Sequence, residues 1–106
     1  MSFRYMRVIV MFDLPVVTLA DKKEYLRFRK YLIKSGYLMM QESIYCKLAT
    51  NSNTADALIR SVKKNKPFRG VVQALKITEK QYANMEFIVG ESKSDVIDSD
   101  ERLIIL

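Results

Sequence analysis

YMRVIVMFDLP, residues 5–15, is the stretch on which the fold turns. Tyr5 to Phe12 is almost continuously apolar and rich in β-branched residues. That is the pattern of a strand covered on both faces, hence a central one. Pro15 stops it, and Asp13 stands where it ends.

Outward from that strand, Leu19 to about Ser35 reads as a helix. Tyr25, Phe28 and Leu32 recur at spacings of three and four and mark its apolar face. Gly36 is the expected left-handed stop. Tyr37 to Leu48 is strand material, too long and too polar in its middle for one flat strand. Gln41, Glu42 and Ser43 mark a turn or bulge between two short strands. Asn51 to Asn53 offer N-caps for a second helix, whose apolar stripe is Ala55, Leu58, Ile59 and Val62. Lys63, Lys64 and Lys66 lie at its C-terminal end, where cations suit the helix dipole, and Pro67 follows. Val71 to Ile77 is another strand. Thr78 and Gln81 have capping-box spacing, and a short helical turn is expected there. Phe87 to Val89 reads as a short strand. The order β-α-β-β-α-β predicts an α+β, ferredoxin-like domain over residues 1–90, with helices on one face of an antiparallel sheet. Residues 91–106 read as an acidic linker and a terminal β segment, Leu103 to Leu106.

Several functions are excluded by composition. Cys46 is the sole cysteine and the chain has no histidine. An intrachain disulfide, a Cys/His zinc site and imidazole-based catalysis are therefore ruled out. No apolar run approaches the roughly 20 residues that span a bilayer. Val8 to Phe12 is too short for a signal-peptide core and runs into Asp13. A reduced, cytoplasmic setting without membrane attachment is expected. Among 106 residues the formal charge is +6, unevenly placed. Residues 1–80 hold 16 Lys and Arg against 6 Asp and Glu, and residues 81–106 hold 2 against 6. A basic body calls for a polyanionic partner.

Asp13 is the most suggestive single residue, at the end of the central strand in a region poor in carboxylates. It fits two roles. One is structural, capping the loop before Pro15. The other is metal ligation, with two copies brought together across a dimer axis, because Mg²⁺ takes one or two carboxylates and completes its shell with water and phosphate oxygens. Lys23, Arg27, Lys30 and Lys34 are spaced by four, three and four residues, opposite the apolar helix face. They form a basic stripe suited to a phosphate backbone. Lys63, Lys64, Lys66 and Arg69 make a second basic cluster, for which helix capping is the stronger reading. Tyr25, Phe28, Phe12 and Phe87 read as core rather than as a base-stacking platform.

Four stretches carry a resemblance: RVIVMFDLP at 7–15, FRKYLIKSGYLMMQESIYCKL at 28–48, LKITEKQYANM at 75–85 and SDERLIIL at 99–106. Together they resemble the small, non-integrase subunit of the CRISPR spacer-acquisition complex, in the variant found beside type II systems. The resemblance implies a ferredoxin-like homodimer that bridges integrase dimers on duplex prespacer DNA. It implies that the C-terminal segment, Arg102, Leu103, Ile104, Ile105 and Leu106, docks a partner by strand addition. It places the family's metal-binding, catalytic Asp on Asp13, with Mg²⁺ or a similar divalent ion, and its helix-one Arg on Arg27. The family's polar strand pattern falls on Gln41 and Ser43, and its aromatic on Tyr45. Members are described as metal-dependent endonucleases on RNA or DNA. One Asp per chain and no evident general base rank the scaffold role first and nuclease activity second. A metabolite-binding regulator of the same fold is the third reading.

Overall fold

The computed structural model describes residues 5–91. Its elements are β1 (Met6–Asp13), α1 (Leu19–Lys34), β2 (Leu38–Gln41), β3 (Ile44–Ala49), α2 (Ser52–Lys64), β4 (Val71–Thr78) and α3 (Glu79–Ala83). The strands form one antiparallel sheet in the order β2-β3-β1-β4, the ferredoxin-like arrangement. β1 is central, as its unbroken apolar run predicts. Ile9 lies opposite Cys46 on β3 and Leu75 on β4, and Asp13 lies opposite Val71.

Successive strand residues point to opposite faces. Val8, Val10 and Phe12 therefore share one face of β1 and join Phe28 and Leu32 of α1 and Ala55 and Val62 of α2 in the buried core. Both helices present their predicted stripes to this face. Phe12 is its aromatic hub. Its ring is 5.3 Å from that of Phe28 at a steep angle and 5.7 Å from that of Tyr45, nearly parallel. Each such pair adds about 0.5–1.5 kcal/mol beyond area burial. Tyr45 is fully buried, and its hydroxyl accepts from Arg29 Nε at 2.9 Å.

Side chains close the helix ends as the sequence signals. Asn51 Oδ1 accepts from the Thr54 amide at 2.8 Å at the start of α2. Thr78 and Gln81 form the expected capping box of α3. After α1 the chain turns through Gly36 at φ +94°. The Gly36 amide donates to Ile33 and the Tyr37 amide to Leu32. This double closure needs a left-handed residue, which glycine supplies at no steric cost. Between β2 and β3 the register slips from Met39 to Gln41, a bulge where polar residues interrupt the strand pattern.

Phe87 to Val89 is not a strand. Phe87 is 54% exposed, Ile88 85% and Val89 91%, so Phe87 is not core either. A β segment needs a neighbour to pair with, and within the described residues these three have none beside them. The terminal β segment expected at Leu103 to Leu106 lies outside the described residues.

Candidate nucleic-acid and metal site at the end of the central strand

Asp13 is exposed at the C-terminal end of β1. By alternation its side chain shares the face of Arg7, Ile9 and Met11, away from the helices. Its backbone is held on both sides. On one, the neighbouring Phe12 amide donates to the Ser43 carbonyl in the β2–β3 turn at 3.1 Å. On the other, Asp13 pairs with Val71 of β4. Among the described residues no group of three or more His, Cys, Asp or Glu side chains could hold a metal. A single chain thus offers one exposed carboxylate at this place. That donor set suits a hard cation which keeps water or phosphate oxygens in its remaining positions.

The four predicted phosphate ligands fall on the solvent side of α1, but they are not equivalent. Lys23, Lys30 and Lys34 are exposed. Arg27 is engaged by its own helix and by the loop beyond α2. Its Nε and Nη2 donate to the Glu24 carboxylate at 3.0 and 2.8 Å. Nη2 also reaches the carbonyls of Asn65 and Lys66 at 3.0 and 3.3 Å. The stripe is therefore not purely basic, because Glu24 lies one turn before Arg27 at i,i+3 spacing and pairs with it. The Arg27 hydrogen bond holds Glu24 below its ordinary pKa, and the pair raises that of Arg27.

The second cluster also divides. Lys63 and Lys64 occupy the last turn of α2, as their capping role requires. Arg69 instead crosses to α1. Its Nε and Nη2 donate to the Asp21 carboxylate at 3.1 and 2.8 Å. Asp21 is buried, and it is the third residue of α1, in a capping box with Thr18. The Arg69 hydrogen bond, followed by that from the Thr18 amide, lowers the Asp21 pKa from 3.8 to about 2. Sequence reasoning missed this pair. The spacing Thr18-x-x-Asp21 carries the capping signal, while Arg69, 48 residues away, carries none.

At the opposite end of β1, Arg7 points to the open face of the sheet. It donates to both oxygens of Glu79 on α3, at 2.8 and 3.2 Å, and lies 4.2 Å from the centre of the Tyr82 ring. Cys46 is buried beneath, with Sγ 3.7 Å from Arg7 Nη1 and 3.8 Å from the Tyr82 hydroxyl. Around this clamp the open face carries exposed apolar residues, Leu38, Leu48, Val71 and Leu75.

The family model of CRISPR associated protein Cas2 matches residues 6–85, from β1 to the end of α3. The chain belongs to the Cas2 family. A CRISPR-associated endoribonuclease Cas2 of Treponema denticola is 54% identical over 101 residues, which cover 95% of this chain and all of that one. A protein of the same name from Ligilactobacillus salivarius is 44% identical over the same shares of both chains. A solved structure described as a crystal structure of Cas2 superposes with a TM-score of 0.56 at 23% identity, covering 85% of this chain and 92% of that one. That likeness bears on the fold, and the strand order agrees with it. The chain is thus a Cas2-family member of CRISPR systems with a ferredoxin-like fold. Among its described residues no helix is long and apolar enough to cross a membrane. Arg102 to Leu106, expected to dock a partner, lie outside the described residues.

Proposed function

We propose that two copies of this chain form a basic scaffold that holds duplex DNA for an integrase during CRISPR spacer acquisition. The observation that carries this reading is the open face of the sheet. The described residues of one chain leave it apolar and uncovered, with Asp13 at its edge. A second copy laid against it removes Leu38, Leu48 and Leu75 from water and brings two Asp13 carboxylates toward one axis. The exposed run Phe87–Val89 finds a neighbour in the other copy on the outer edge of β4, which no strand among the described residues pairs, by strand addition. Arg102, Leu103, Ile104, Ile105 and Leu106 dock the integrase in the same mode, and the integrase performs the strand transfer.

Lys23, Lys30 and Lys34 supply the phosphate contacts, and Arg27 braces the helix that presents them. Three lysines in each of two copies make six contacts. The logarithm of the duplex binding constant should then fall against the logarithm of salt with a slope of about −5. Lys30→Ala removes two contacts per dimer and should shift the slope toward about −3.5.

A second reading is favoured by the exposure of Asp13 at the strand end and by the name endoribonuclease borne by the relatives. In it the Asp13 pair holds Mg²⁺ and the dimer cleaves RNA or DNA. The ion, when bound, polarises the phosphodiester and lowers the pKa of a water. Asp13 supplies the anionic oxygens that hold it, and the lysines of α1 orient the strand. The deciding experiment is integration into a repeat-bearing plasmid by the cognate integrase with wild type, with Asp13→Ala, or with neither. Equal integration by both forms supports the scaffold, with the carboxylate dispensable. No help from either form sinks the scaffold reading. Metal-dependent cleavage by wild type that is lost in Asp13→Ala supports the nuclease.

A further inference from the structure

Residues 65–70, between α2 and β4, are tied to α1 by two arginines that run in opposite directions, one bonding loop carbonyls and one a helix carboxylate. Arg27 reaches out from the helix to the carbonyls of Asn65 and Lys66 while paired with Glu24. Arg69 reaches back from the loop to Asp21. Next to Arg69 stands Gly70, at φ +104°. A Cβ on Gly70 would lie 2.8 Å from Leu14 Cδ2, 3.0 Å from the Asp13 carbonyl oxygen and 3.1 Å from Pro15 Cδ. The loop therefore runs close against the Asp13 carbonyl and the side chains of Leu14 and Pro15, at a left-handed position that favours glycine.

We propose that this loop positions Asp13. Arg69 and Asp21 fix the loop on α1, and Gly70 passes the constraint to the end of β1. The inference rests on the reading of Asp13 as the functional carboxylate. Arg69 and Gly70 are positioning residues, since neither has to touch metal or nucleic acid for the effect. A planar guanidinium gripping both oxygens of a buried carboxylate fixes direction as well as distance, which an ammonium does not. The pair anchors α1 at its capping box, so loop, helix start and strand end move as one piece.

The test is residue-resolved amide hydrogen exchange on the full chain, with Arg69→Gln, Arg69→Lys and Gly70→Ala. In Arg69→Gln, exchange at Phe12, Asp13 and Val71 should quicken about tenfold by local opening, while Val8 and Val10 in mid-strand keep their wild-type rates. Gly70→Ala should give the same local pattern, and Arg69→Lys should lie between wild type and Arg69→Gln. Unchanged rates at the strand end, or equal acceleration at Val8 and Val10, overturn the proposal. A parallel cleavage assay separates the two ideas. If wild type cleaves, Arg69→Gln should lower kcat severalfold with little change in KM. A change confined to KM counts against positioning. If wild type does not cleave, the nuclease reading fails, and the exchange pattern alone decides whether the loop holds Asp13.

Discussion

On the helix side of the sheet, Val8, Val10 and Phe12 are buried by α1 and α2 of the same chain. On the other side, Arg7, Ile9, Met11 and Asp13 of the same strand have only the short α3 over them among the described residues, with Leu48 and Leu75 exposed beside them. One strand thus serves a finished core and an unfinished surface. The first face follows from local helix periodicity and needs one copy. The second has the composition of a core without its other half, which is how a surface looks when its partner is another molecule.

Substitutions on the two faces should therefore separate folding from assembly. The largest effect belongs to the helix face. Phe28→Ala should destabilise the domain by about 3–5 kcal/mol, measured by urea unfolding, because the cavity opens at the centre of the aromatic cluster. A loss well under that range would mean that the core is not centred on Phe12 and Phe28. Asn51→Ala, which removes the cap of α2 without touching either face, should cost about 1 kcal/mol in the same assay. Acid tests the polar ties of the helix side. The Asp21 carboxyl is held at about 2 in the folded chain against 3.8 ordinarily, first by Arg69. Its contribution is complete above the ordinary value and disappears as pH falls toward 2. Wild type should lose more stability than Asp21→Asn between about pH 6 and about pH 2.5. Parallel losses in both would show that the pair does not matter to folding. The smallest effect on folding belongs to the open face. Leu75→Lys should change unfolding of the dilute chain by no more than about 0.5 kcal/mol. The same variant should convert a dimer to a monomer in light scattering. A variant that stays dimeric would place the interface elsewhere.

The helix face was legible in the sequence because its signals are local. Tyr25, Phe28 and Leu32 repeat at helical spacing, Gly36 ends α1, and Asn51 opens α2. Asp13 was legible as a charged residue ending an apolar run. What escaped were contacts made by residues far apart in the chain. Arg27 read as a phosphate ligand and Arg69 as part of a capping cluster, until the fold placed each beside a carboxylate. Phe87 to Val89 misled for a related reason. Its apolar run says that something must cover it, and periodicity has no term for whether the cover belongs to the same chain.

The chain has a single thiol, Cys46, and it is buried beneath Tyr82 and Arg7 on the open face. That makes the molecule its own stopwatch. A thiol reagent can attack only when α3 lifts from the sheet, so the labelling rate counts those openings directly. Since no other cysteine competes for the reagent, the count needs no engineered probe. A protein or nucleic acid that grips this side would slow the clock, and one that binds along α1 would leave it running.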